Sequence, residues 1–233
     1  MRSTRSMGCG LLLGRALLLG AAALPLGHAA SASAQNGAFD EARIFIEFNS
    51  SDNDLGFHVF LDGEDWKRVR IVSPTGRKIF ETQGGGGYKL FGMTELFFEG
   101  AEPSLDEVDL DELLSLFPEG IYTFSGTTVD GEKLVSQATL THAIPDGPVV
   151  SAEVDEGEVT IRWDAVTTPP GIEIVGYQVI VGSFQVTLPA SSRSVEVPEE
   201  LIASLDAGEH GFEVLAIEVG GNQTITQGDF ELE

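Results

Sequence analysis

The chain has 233 residues, with 13 basic and 37 acidic side chains and a formal net charge of -24. Hydrophobic residues make up 42% and charged residues 21%, which is typical of a folded globular protein and too apolar for a disordered one. The negative field argues against nucleic acid or an anionic membrane surface as the main partner. One cysteine and four histidines leave little material for thiolate metal sites or nucleophilic catalysis.

The first 34 residues have the pattern of a secretory signal peptide. They contain no acidic residue, and arginines precede an apolar run over 16–26. Ala32-Ser33-Ala34 then offers small residues for cleavage before Gln35. A membrane anchor would need about 20 apolar residues, and Arg15 interrupts the run. We therefore expect a secreted protein, periplasmic or extracellular, that begins near Gln35, lacks cysteine and is not inserted in a membrane.

Apolar side chains with a period of two predict strands through the rest of the chain. In the first half they form three runs: Ile44, Ile46 and Phe48; Phe57, Val59 and Leu61; Val69 and Ile71. Turns rich in glycine and aspartate separate these runs. Two prolines and a glycine over 143–148 interrupt the alternation and indicate a domain boundary. The pattern predicts an all-β chain of two tandem β-sandwiches, with domains at 38–142 and 144–233.

One short helix is predicted near residue 110. Asp109 is placed to cap it, Glu112 follows as in a capping box, and apolar residues recur at helical spacing up to Phe117. The segment 112–124 recurs without a gap as 200–212, at an offset of 88 residues and with four identical positions. This repeat predicts two related sandwiches, each with a short helical link before a late strand.

The second half carries core positions that are typical of one module family. They are Trp163 and Tyr177 in two early strands, Leu205 before a late strand, and Val214 and Ala216 within it. With these residues, 144–233 resembles one complete fibronectin type III domain. The resemblance implies a β-sandwich with Trp163 and Tyr177 in the core, and it says little about function.

The corner of this module departs from the family pattern. His210 stands where the family has a tyrosine, whose hydroxyl normally bonds back to the backbone. The resemblance therefore leaves that bond open. Residues 38–142 share only the repeated late segment with the second half, and we interpret them as an immunoglobulin-like β-sandwich.

The acidic turn over 49–56 is the most suggestive cluster for a metal. Asp52 and Asp54 alternate with other oxygen-bearing side chains, as a calcium site requires. Asp62, Glu64 and Asp65 would add ligands if the two turns lay at the same end of the sandwich. An EF-hand is excluded because glycine, not glutamate, stands at loop position 12 counted from Asp52. The alternative is an ordinary Asx-rich hairpin turn without metal.

Two further groups of side chains invite a functional interpretation. Trp66, Tyr88 and Phe91 could form an aromatic platform for sugars, although aromatic residues in strand-rich domains more often belong to the core. Six of the basic residues lie between Lys67 and Lys89, where Glu81 is the one acid. We expect this basic stretch to pair with the acidic segment 90–132; the alternative is contact with an acidic partner.

No sequence pattern of a hydrolase, metalloprotease or nucleotide-binding enzyme is present. We therefore interpret the protein as a secreted, non-catalytic binding or interaction module without a required cofactor. Its partner would be a protein or a polysaccharide, contacted through loops such as 167–171 and 219–224. The alternative is a calcium-stabilised or carbohydrate-binding accessory protein.

Overall fold

The computed structural model describes residues 37–233, so the predicted signal peptide and its cleavage site lie outside the described residues. Residues 37–233 form thirteen strands and three short helices, which confirms the all-β class. Within this range, no helix has the length and apolar character needed to cross a bilayer.

The first half folds around a long strand. Its elements are β1 (Glu41–Asn49), β2 (Asp54–Val72), β3 (Lys78–Gln83), α1 (Tyr88–Phe91), β4 (Met93–Glu99), α2 (Leu110–Leu116), β5 (Gly120–Thr128) and β6 (Lys133–Leu140). The early part of β2 pairs with β1 and β4, and the late part pairs with β3 and β5. A register shift between Asp62 and Trp66 separates the two parts, and such irregularities bend a strand.

The alternation predicted for the first half is confirmed in its core. Ile44 and Ile46 of β1 pack with Phe57 and Val59 of β2 in one buried cluster, which also includes Trp66. This cluster extends to Tyr122 and other residues of β5 and β6. Because one face of β1 and β2 is buried there, the opposite face of these strands is available for other contacts.

The second half forms two facing sheets. Its elements are β7 (Val150–Asp155), β8 (Glu158–Trp163), β9 (Ile174–Val181), β10 (Phe184–Pro189), β11 (Ser194–Glu196), α3 (Glu199–Ile202), β12 (Gly208–Glu218) and β13 (Gln223–Leu232). One sheet has the order β11-β8-β7, and the other contains β10-β9-β12-β13. Trp163 is 3% exposed and its ring centroid lies 5.6 Å from that of Tyr177. The predicted core position of Trp163 is confirmed.

The predicted helix and the repeat appear at corresponding places in both halves. Helix α2 begins after Asp109, whose carboxylate accepts a hydrogen bond from the Asp111 N–H; the reciprocal Glu112 bond of a capping box is absent from the described residues. Helices α2 and α3 each precede a strand that starts at a glycine with positive φ, Gly120 at 129° and Gly208 at 135°. An L-residue other than glycine would be strained in this conformation.

The corner bond forms in both halves. The Tyr122 hydroxyl donates to the carbonyl of Pro118 over 3.0 Å, four residues back. His210 Nε2 lies 2.7 Å from the carbonyl of Asp206, also four residues back, and donates to it. The histidine therefore makes the contact that the sequence left open, because its ring nitrogen reaches the same carbonyl position as a tyrosine hydroxyl.

The two halves share a continuous sheet through a parallel pair of β1 and β13. Glu47 lies opposite Gln223, and Asn49 lies opposite Ile225. Ser50 adds two hydrogen bonds to the Ile225 carbonyl, from its N–H over 2.9 Å and from its hydroxyl over 2.7 Å. Ten strands are thereby joined in one sheet. The segment between the two cores is tied down as well, since the Thr224 hydroxyl donates to the Pro145 carbonyl.

Asn222 closes this junction from the β12–β13 turn. Its side-chain oxygen accepts the Ile46 N–H over 2.8 Å, and its Nδ2 donates to the carbonyls of Thr141 and Ala143. Asn222 is 1% exposed and Thr224 is fully buried. The prediction that the loop 219–224 is a recognition loop is therefore wrong for its second part, because these side chains are occupied in joining the two halves.

Candidate functional site

The acidic turn joins β1 and β2 and is held by its own side chains. Asn49 Oδ1 accepts from the N–H groups of Ser51 and Asp52, and Asn49 Nδ2 donates to the Asp52 carboxylate over 3.0 Å. These bonds form an Asx turn, the structure that the sequence offered as the alternative to a calcium site. Asp54 begins β2, and burial together with the nearby Asp52 carboxylate raises its pKa. Calcium binding by Asp52 and Asp54 stays a prediction.

The second acidic turn does not lie at the same end of the sandwich as the first, so it adds no ligands to a calcium site there. Asp62 pairs with Glu41 at one end of the β1–β2 hairpin, whereas Asp54 pairs with Asn49 at the other end. The eight residue steps between these pairs correspond to roughly 26 Å along the strand. Asp62 and its neighbours Glu64 and Asp65 are therefore too far away to share a cation with Asp52.

His58 lies on the face of β2 turned away from the core, as its alternation with Phe57 predicts. It is nevertheless only 3% exposed. Its ring is stacked on Phe45 of β1 at a centroid distance of 5.0 Å, and it contacts Phe97 of β4 at 5.9 Å. Two aromatic rings thus fix the imidazole in a defined orientation on this outer face.

A half-buried carboxylate and an exposed one lie beside the buried His58. Glu47 comes from β1, and Glu102 comes from the segment that follows β4. One ligand-type atom of each of the three residues lies within 4.8 Å of the other two, and His58 Nε2 is 3.7 Å from Glu47 Oε1. Gly56 provides the room, since a Cβ at this position would come within 2.9 Å of Glu102 Cγ and 3.4 Å of His58 Nε2. We call Glu47, His58 and Glu102 the outer-face cluster.

His58 Nε2 is buried without a hydrogen-bond partner. The distance of 3.7 Å to Glu47 is too long for a hydrogen bond. Burial lowers the pKa of His58 to about 4, so the imidazole is neutral at neutral pH and forms no ion pair with Glu47. An unpaired buried polar atom is costly, and this nitrogen therefore requires an explanation.

The carboxylates of the outer-face cluster repel one another. Burial, followed by repulsion from other glutamates, raises the pKa of Glu47 to about 7, against a hydrogen bond from Gln223 that acts in the opposite direction. Partial desolvation and repulsion from neighbouring acids also raise the pKa of Glu102 to about 7. The acids that exert this repulsion from outside the cluster are Asp52, Asp54, Glu99 and Glu213.

Sequence reasoning did not find the outer-face cluster. Glu102 is far from His58 in sequence and follows β4, whose pairing with β2 no local pattern indicates. The alternation did place His58 opposite the core, but it could not reveal that Phe45 and Phe97 cover the ring. The two calcium candidates, Asp52 and Asp54, are near enough to the cluster for both carboxylates to act on Glu102.

The proposed aromatic platform divides into a core residue and an exposed segment. Trp66 is fully buried, as expected for a core residue, whereas Tyr88, Leu90 and Phe91 are 66%, 75% and 82% exposed. Helix α1 contains no buried residue. A Gly84 N–H bond to the Lys67 carbonyl anchors the start of the segment. We call Tyr88, Leu90 and Phe91 the apolar tip.

Three of the six side chains of the basic stretch pair with one local carboxylate. Arg68 and Arg70 project from β2 toward Glu81 of β3, which also accepts from Lys78 Nζ over 2.7 Å. The expected pairing of the basic stretch with the acidic segment 90–132 is wrong for these residues, because β2 and β3 are adjacent strands and bring Glu81 nearest. Hydrogen bonds from Lys78 and Arg68, and then Arg70, lower the pKa of Glu81 to about 2.

The ion-pair network predicts a measurable titration. In a chain with Arg68→Gln and Arg70→Gln, the pKa of Glu81 should rise from about 2 toward its ordinary value of 4.5, because Lys78 alone remains. Since this pKa is lowered by folding, the network favours the folded state above pH 4.5 and loses its effect as the pH falls toward 2. Carboxyl NMR titration measures the shift, with exposed Arg77→Gln as the control. An unchanged Glu81 pKa would contradict the assignment.

The chain was compared with known proteins in three ways. No family model matches it, and no curated protein matches it. Among solved structures, it is similar to a spore cortex lytic enzyme of Clostridium perfringens over 38% of this chain and 28% of that one, at 15% identity and a TM-score of 0.33. A Ca²⁺-stabilised adhesin of an Antarctic bacterium is similar over 85% and 49%, at 11% identity and a TM-score of 0.29.

Fibronectin(III)-like modules of Clostridium thermocellum CbhA are similar over 80% of this chain and 92% of that one, at 9% identity and a TM-score of 0.25. The chain spans less than half the length of the lytic enzyme and about half that of the adhesin. These values identify no family for the chain.

Proposed function

We propose that the protein is a secreted, non-catalytic binding module that contacts a protein partner through the apolar tip. The two halves, at 38–142 and 144–233, would be an immunoglobulin-like and a fibronectin type III-like sandwich that together carry the tip. The observation that supports this function is the exposure of Tyr88, Leu90 and Phe91 on a helix that buries none of its residues.

A cluster of exposed apolar side chains favours aggregation unless a binding partner covers it. Single exposed apolar residues are ordinary, but contiguous ones mark binding surfaces. Aromatic side chains are also the residues that most often dominate binding energy at protein interfaces. Within four positions the chain presents two aromatic rings and a leucine to solvent. Such a tip fits an apolar pocket on a partner.

A protein partner fits the tip better than a polysaccharide does. Leu90 offers no ring for stacking on a sugar, and the preceding residues 84–87 are all glycine. Sugar recognition also needs polar side chains beside the aromatic rings, and Lys89 is the one such residue within 84–92. The tip therefore has the composition of a hydrophobic anchor rather than of a sugar platform.

Two concave surfaces of the described chain lie apart from the perturbed acids of the outer-face cluster. Two concavities of about 170 Å³ and 400 Å³ lie in the described part of the chain. The first is lined by residues of β1, β6 and the β12–β13 turn, and the second by residues around His210. Neither contains His58 or the carboxylates of the outer-face cluster. A buried cleft that collects perturbed acids and a histidine, as a hydrolase needs, is not formed by these two.

The test compares capture by the wild type and by a chain with Tyr88→Ser, Leu90→Ser and Phe91→Ser. Because helix α1 buries no side chain, the variant should keep the fold and its melting temperature. Partners captured from the medium of the producing cells should bind at least ten times more weakly, since interface anchors each contribute about 2 kcal/mol or more. The control is Val149→Ser, an exposed apolar residue outside the tip, at 71% exposure.

Enzymatic digestion of the captured material identifies the chemical class of the partner. Protease treatment of the captured material should abolish binding to the wild type. Capture that survives protease but not glycosidase would indicate a polysaccharide and would overturn the choice of partner. Equal capture by the wild type, the tip variant and Val149→Ser would show that the tip is not the contact surface.

A further inference from the structure

We infer that Glu47, His58 and Glu102 form a binding site for a divalent transition-metal ion of the zinc class. The site would use the imidazole nitrogen and one oxygen from each carboxylate as ligands. It is separate from the apolar tip and does not depend on the proposed function.

The buried, unpaired nitrogen of His58 distinguishes the cluster from an ordinary acidic surface. Exposed carboxylates gather on many proteins without binding a metal, but a buried imidazole with an unpaired nitrogen is uncommon. His58 Nε2 has no hydrogen-bond partner, and the residue is 3% exposed. The nitrogen lies 3.7 Å from Glu47 Oε1, and a ligand-type atom of His58 lies within 4.8 Å of carboxylate oxygens of both Glu47 and Glu102. A metal ion is the partner that would satisfy a lone pair and two carboxylates at once.

The spacing of the three ligand atoms suits a small ion. Zinc binds histidine nitrogen and carboxylate oxygen at about 2.0–2.1 Å with tetrahedral angles, so neighbouring ligand atoms lie about 3.3 Å apart. His58 Nε2 and Glu47 Oε1 are already 3.7 Å apart, and all three atoms lie within 4.8 Å. Glu102 lies on an exposed segment after β4, so its side chain can close the remaining distance. Because Glu102 is exposed, a bound ion could take a water molecule as its fourth ligand.

The ligand types favour zinc over calcium. Calcium takes six to eight oxygen ligands and has little affinity for imidazole, whereas imidazole with carboxylates suits zinc and its neighbours in the first transition series. Stacking on Phe45 holds the ring in place, and Gln223 donates a hydrogen bond to the Glu47 carboxylate. Such outer contacts orient the ligands of known metal sites.

The surrounding charge also favours a cation. Glu99 repels both carboxylates of the cluster. Asp52 and Asp54 repel that of Glu102, and Glu213 repels that of Glu47. No arginine or lysine among residues 37–233 forms a salt bridge with Glu47 or Glu102. A divalent ion would therefore relieve repulsion that the described protein groups leave uncompensated.

The experiment is calorimetric titration of the folded protein with ZnCl₂ and, separately, with CaCl₂. A visible absorption spectrum with Co²⁺ in place of zinc reports the coordination geometry of the bound ion. The wild type should bind one zinc ion per chain, and its melting temperature should rise with zinc by mass action. His58→Phe keeps an aromatic ring between Phe45 and Phe97, and Glu102→Gln changes an exposed side chain.

Each of these two variants should bind zinc at least ten times more weakly than the wild type. Glu107→Gln, an exposed acid later in the same connecting segment, should bind zinc as the wild type does. If His58→Phe fails to fold, the zinc affinity of Glu102→Gln alone tests the site. The proposal is overturned if the wild type binds no zinc, if Glu102→Gln binds it as tightly as the wild type, or if calcium binds at the cluster in preference to zinc.

Discussion

Replacement of Trp163 by alanine should lower the free energy of unfolding by about 3–5 kcal/mol, the usual cost of removing a large aromatic side chain from a core. Trp163 is 3% exposed and packs against Tyr177 and the other buried residues of the second core. The cost arises from lost burial and from the cavity left behind. Urea unfolding followed by circular dichroism measures the change.

Trp163→Phe is the matched control for this prediction. The indole Nε1 of Trp163 is buried without a hydrogen-bond partner, so phenylalanine removes an unsatisfied donor while it keeps an aromatic ring. We expect a clearly smaller loss of stability than for alanine. A loss below about 1 kcal/mol in Trp163→Ala would be too small for a buried tryptophan and would contradict the assignment of strand β8 to the core.

Replacement of Asn222 by alanine should lower the free energy of unfolding by about 2–4 kcal/mol, although no large side chain is removed. Alanine would leave the buried Ile46 N–H and the carbonyls of Thr141 and Ala143 without their partner. Buried groups that lose a hydrogen bond cost about 1–3 kcal/mol each. Because Ile46 and Thr141 belong to the first half and Asn222 to the second, the variant should also weaken the coupling of the two cores.

The control for Asn222→Ala is Gln137→Ala, which removes an exposed amide side chain on β6. Its effect should stay within about 0.5 kcal/mol, as for most surface substitutions. Both variants can be measured in the same urea series. Equal stability of the two variants would show that the hydrogen bonds of Asn222 contribute little and would contradict its role at the junction.

The strands and the second core could be predicted because their signal is local. Period-two alternation identifies a buried face without knowledge of the partner strand, and this was enough for Ile44, Ile46 and Trp163. The short helix after Asp109 was predictable for the same reason, since its cap and its apolar spacing lie within a few residues. The repeat then indicated that Tyr122 and His210 occupy equivalent corners.

The junction and the outer-face cluster depend on contacts that are distant in sequence. In the sequence, Asn222 follows two glycines and has the pattern of a turn residue. Its hydrogen bonds to Ile46 and Thr141, which no local pattern indicates, cross from one half to the other. Glu102 and His58 meet only because β4 lies beside β2. The prediction for the basic stretch was wrong because it rested on the number of acids over 90–132. The adjacent strand brings a single acid, Glu81, closer to Arg68 and Arg70.

We expect the continuous sheet to join the two cores into one cooperative unit that carries the apolar tip. The chain has two tryptophans, Trp66 in the first core and Trp163 in the second, so each core can be followed alone. In Trp163→Phe the fluorescence reports the first core, and in Trp66→Phe it reports the second, while far-UV circular dichroism reports the whole chain. We predict that the urea transitions seen by fluorescence and by circular dichroism coincide within each variant, as for a two-state unit. Separate transitions for the two cores would contradict this claim.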